Sequence, residues 1–152
     1  MDRSLSNKLL TSRAKKYASC LLGAESYRLQ NLLPEDFSWH RETISLMHSL
    51  TQKPDGALLP KPARTDDITK TIMNASNVKN IFDCWIFFEN QIGINFHGHE
   101  FGDFLKSLFH LNKSYDIQLA FTNPDFIISL NDEEHFIEIH IIKPSKKLCE
   151  TE

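Results

Sequence analysis

The chain has 152 residues, 41% of them hydrophobic and 24% charged, with 17 Lys+Arg against 20 Asp+Glu. That length suits a single domain burying roughly two-thirds of its unfolded surface. The hydrophobic share excludes disorder, no apolar run nears the ~20 residues of a membrane helix, and a net charge of −3 gives no global attraction for nucleic acid.

Residues 1–22 lack the apolar stretch of a secretory signal, so a cytoplasmic protein without membrane contact is expected. Cys20, Cys84 and Cys149 lie far apart with no C-x-x-C spacing, which argues against a disulfide framework or a thiolate zinc site. Cys84, inside an apolar run, reads as a small core residue, and Cys149 as a free thiol on a polar tail. Charge is uneven: residues 1–63 hold nine Lys/Arg against six Asp/Glu, and residues 64–152 eight against fourteen. The basic cluster Lys8, Arg13, Lys15 and Lys16 reads as a solvated helix face.

In chain order, Ser4 is a candidate cap for a helix running to about Leu22. Leu5, Leu9, Leu10, Ala14, Tyr17, Ala18, Leu21 and Leu22 form its stripe, and Gly23 ends it. A short helical piece is expected over Tyr27–Leu33. A further helix is expected to open at Pro34, with Phe37, Ile44, Met47 and Leu50 on its buried side. Three prolines in residues 52–65 exclude a regular helix or an inner strand there and mark a loop. A short helix follows from Asp66 or Asp67 to Asn74.

Ten of the eleven phenylalanines lie beyond residue 80, where the period changes. Strands are expected at 81–89 and 91–97, a helix at 100–112, and strands at 116–122, 125–131 and 134–142. Trp85-Ile86-Phe87-Phe88 is apolar on both faces, which suits a central strand. The fold expected is one α+β domain: a helical part (1–51), a Pro-rich loop (52–65), a sheet-containing part (66–142) and a polar tail (143–152). The N-terminal helices pack on a mainly antiparallel sheet of about five strands in the order ββαβββ.

Pairing the last two strands puts Phe126, Ile128 and Leu130 on one face with Ile137, Ile139 and Ile141. The opposite face carries Asp125, Ile127 and Ser129 together with Phe136, Glu138 and His140. Pro124-Asp125 followed by Glu138-Ile139-His140 resembles the PD-(D/E)xK nuclease motif, with His140 where the family has its lysine. The resemblance implies Asp125 and Glu138 holding Mg²⁺ or Mn²⁺, Glu100 as an added helical acid, and DNA as substrate. Lys143, at an odd offset from Glu138, faces the other way, and the ten residues after Ile142 are too few for the rest of the family core.

His97 and His99 form H-x-H and would need Glu100, His135 or His140 to complete a metal site. Two turn histidines with ordinary hydrogen bonds are expected instead. His40 and His48 read as surface or half-buried residues. No nucleotide-binding or nucleophile-elbow pattern is present. The favoured reading is therefore a non-catalytic binding module of immunity, antitoxin or inhibitor type, without cofactor. Asp116, Asp125, Asp132, Glu133, Glu134 and Glu138 would make its sheet acidic and attract a basic protein, such as a toxin or nuclease.

Overall fold

A computed structural model describes residues 3–47 and 56–144. Leu50, His48, Cys149 and residues 52–55 of the Pro-rich stretch lie outside the described residues. The elements run α1 (Arg3–Ser19), β1 (Ala24–Asn31), α2 (Ser38–Met47), β2 (Gly56–Pro60), α3 (Thr65–Ser76), β3 (Phe82–Phe88), β4 (Ile92–Gly98), α4 (Phe101–Asn112), β5 (Ile117–Phe121), β6 (Phe126–Asp132) and β7 (Phe136–Ile142). The class is α+β, and one antiparallel sheet of seven strands has the order β1-β4-β3-β5-β6-β7-β2.

The expected five strands lacked the two edges. Tyr27–Leu33 is not a helical piece: Ala24–Asn31 is a strand, because β4 offers it an antiparallel ladder that is continuous from Ser26 to Asn31, with a bulge at Glu25. Gly56–Pro60 pairs with β7 at the opposite edge, the one sheet position Pro60 tolerates. α2 begins at Ser38 rather than Pro34. The Asp36 carboxylate accepts from Leu33 N (2.9 Å) and Asp36 N donates to Leu33 O, which closes a turn ahead of the helix. Ser4 already lies inside α1, which therefore needs no cap there.

Alternation along the strands sorts side chains onto two faces. Cys84, Ile86 and Phe88 of β3, Ile92, Ile94 and Phe96 of β4, and the inward residues of β5–β7 share the larger core with α1, α3 and α4. α4 contributes Phe101, Phe104, Leu105, Leu108 and Phe109 at helical spacing, and Phe104 lies 4.8 Å from Phe82 and 5.0 Å from Phe96, ring centre to ring centre. From α1, Leu10, Ala14, Ala18 and Leu21 are buried, whereas Leu5, Leu9 and Leu22, expected on the same stripe, are half or more exposed.

α2 covers the other face. The Phe37 ring sits 4.7 Å from Trp85 and 5.2 Å from Phe87, so β3 is indeed covered on both sides. Gly23 links α1 to β1 with φ +82°, and a Cβ there would meet Glu100 O at 2.4 Å and Phe104 N at 2.6 Å. Only glycine allows α4 to approach that corner.

Candidate functional site

The β6–β7 register sets Ser129 opposite His140 and Asn131 opposite Glu138, on the face under α2. Ile128, Ile137, Ile139 and Ile141 point the other way, as the alternation requires. His140 Nε2 is 3.3 Å from Glu138 Oε1, and Asn131 Nδ2 donates to the same oxygen at 3.1 Å. Ser129 is fully buried and His140 is 4% exposed. Among the described residues, Ser129 Oγ and His140 Nδ1 have no hydrogen-bond partner. This group is a covered polar patch rather than an open surface.

Asp125 does not join it. Asp125 precedes β6, six residues from Asn131, so roughly 20 Å of strand separates it from Glu138. Its carboxylate lies 3.5 Å from Nε2 of the buried His40, which also bonds Phe121 O at 2.8 Å. His40 is thus a core residue fastening α2 to β5, not a surface one. Glu100 follows β4, four strand spacings from β7, or roughly 19 Å across the sheet. The hairpin therefore unites Glu138 with His140 and leaves Asp125 and Glu100 elsewhere.

Four of the acids expected to attract a basic partner, Asp116, Asp132, Glu133 and Glu134, gather at one end of the sheet. Asp132 N donates to Asp116 Oδ1 (2.7 Å), Tyr115 N donates to Asp132 Oδ2 (3.3 Å), and Lys61 pairs with Asp132. Glu133 N donates to Phe136 O in the turn to β7, and the Glu134 side chain is 87% exposed. With Asp125 at the far end and Glu138 half-buried, the acids form an acidic end instead of an acidic face.

His97 and His99 stand with ring centres 6.3 Å apart, and His99 Nε2 meets Glu25 Oε1 at 2.7 Å. Glu25 belongs to β1, the strand missed in the sequence, so its part in this pairing was hidden too. Among the described residues no three His, Cys, Asp or Glu side chains are grouped to hold a metal ion.

The sheet is nearly divided in its middle. β3 and β5 are joined by one register pair, Trp85 opposite Ala120. Below that pair lies a cavity of about 340 Å³, lined by Tyr17, Ile44, Ile86, Leu108, Asn112 and Gln118 among others. Tyr17 donates to Asn112 Oδ1 at 3.0 Å. Burial raises its phenol pKa above the usual value, and that hydrogen bond partly offsets the rise. The cavity spans secondary elements distant in sequence, so no local motif announces it.

Comparison with protein-family models, with curated proteins and with solved structures gave no match. Among the described residues no helix is long and apolar enough to cross a membrane.

Proposed function

We propose that the chain is a non-catalytic binding module of immunity, antitoxin or inhibitor type, acting in the cytoplasm on a basic protein partner. The observation that carries this reading is the convergence of Asp116, Asp132, Glu133 and Glu134 at the β5–β6–β7 end. Lys61 answers Asp132, and Lys106, His110 and Lys113 border the group on the α4 side. Such an end steers a cationic surface into contact and loses its reach as salt shortens the Debye length to about 3 Å at 1 M. The docking end replaces the sheet face expected from the sequence, because α2 lies over that face. DNA cleavage with Mg²⁺ or Mn²⁺ on Asp125 and Glu138 is not carried forward, since the two acids sit at opposite ends of their hairpin.

The experiment is capture from the native host on immobilised chain, at about 50 mM and about 500 mM salt. The unaltered chain should retain a basic protein at low salt and release it at high salt. Glu133→Lys with Glu134→Lys should fail to retain it. Equal capture by both forms would remove the acidic end from the account.

A further inference from the structure

The two edges of the sheet differ, and the difference follows from ladder parity. Leu32 N donates to Gln91 O at 2.9 Å, one step beyond the β1–β4 register. Bonded pairs alternate along an antiparallel ladder, so Gln30, Arg28 and Ser26 turn their main-chain groups toward β4. Tyr27, Leu29 and Asn31 turn theirs outward, where no further strand lies among the described residues. At the other edge, Lys61 N donates to His135 O at 2.9 Å, which makes Leu58 and Pro60 the outward residues of β2. That strand has five residues, and Pro60 has no N–H to offer, so the edge is blunted. β1 has eight residues, no proline, and exposed side chains from Glu25 to Arg28.

Exposed apolar side chains border β1, as Leu58 (60% exposed) does on β2. Leu22 (66% exposed) and Leu33 (55%) flank β1, and Tyr27 lies within it. Leu5 and Leu9 are exposed on α1, the helix that packs on β1 and β4. A strand edge with open ladder groups and an apolar rim invites an added strand.

The geometry points to a second copy of this chain, with β1 lying antiparallel to β1 of its partner about a twofold axis normal to the sheet. A register centred on Leu29 uses every outward group: Leu29 meets its own counterpart, and Tyr27 meets Asn31 in both directions. Arg28 then faces Gln30, so no like charges oppose one another. β1 holds one Glu and one Arg, and Glu25 is already paired with His99, so two copies meet without net repulsion. Such a closed, isologous contact leaves no outward group of β1 over for a third copy. The surface is separate from the acidic end and stands or falls without it.

Sedimentation equilibrium of the full chain over a wide concentration range tests this. Two substitutions spare the β1–β4 ladder: Asn31→Pro removes an outward N–H from an exposed position, and Tyr27→Lys places a charge on the edge. The unaltered chain should form a reversible particle of twice the 17.6 kDa chain mass. Each variant should weaken that association at least about tenfold with an unchanged far-UV circular dichroism spectrum. If Asn31→Pro does not fold, Tyr27→Lys alone decides. A chain that stays at single mass up to about 200 µM, or a dimer indifferent to Tyr27→Lys, overturns the proposal.

Discussion

Ser129 Oγ is buried with no partner among the described residues, and an unmade hydrogen bond costs more than a made one returns. Ser129→Ala should therefore leave stability within about 1 kcal/mol of the original, or raise it. A loss of about 2 kcal/mol or more in urea unfolding would show that the hydroxyl is partnered. Cys84 has the opposite character: complete burial, with Asp83 adding to it, pushes its thiol well above the ordinary value of 9.0. Native protein at about pH 8 should be alkylated at the exposed Cys20 and spared at Cys84 until denatured, as read by peptide mass spectrometry. Because the thiol is held protonated in the fold and ionises in the unfolded chain, Cys84 makes stability fall as pH rises past 9.0. The limiting slope is about 1.4 kcal/mol per pH unit. Cys84→Ser should flatten that decline.

Among the elements, β3 and β5 share one ladder pair, Trp85 opposite Ala120, so the sheet is two half-sheets joined at one rung. Continuing the ladder parity, Phe87 and Gln118 are the next residues whose main-chain groups point across the gap, and they border the cavity instead of bonding. Their amides should exchange with deuterium at least about tenfold faster than those of Trp85 and Ala120. Equal protection would close the gap and the cavity with it.

The strands after residue 80 were legible because each alternates or is continuously apolar against a partner close in sequence. β1 was not, since one flank of an edge strand is open and AESYRLQN carries too few apolar residues to show a period-two pattern. β2 was not, because its ladder forms with β7, far along the chain. The shared face of Ser129, Glu138 and His140 was readable from alternation, while its covering by α2 is a tertiary fact that no spacing encodes. Leu5, Leu9 and Leu22 fit a helical stripe, yet all three are exposed, and Leu22 lies beyond the end of α1 at Ser19.

Taken whole, the molecule gathers four carboxylates at one end of the sheet and leaves β1 as an open edge among the described residues. Both faces of the central strands are spent on internal packing by α1, α3 and α4 below and α2 above. What is left for recognition is the acidic end and the β1 edge. An electrostatic end acts mainly on the rate of encounter, and much less on the lifetime of the docked state. The most direct measurement is the association rate of the captured basic partner with this chain as ionic strength is varied. The account predicts a fall of at least about tenfold between about 50 mM and about 500 mM salt, with a similar fall for Glu133→Lys plus Glu134→Lys at low salt and little change in dissociation. An association rate indifferent to salt and to both substitutions would contradict it.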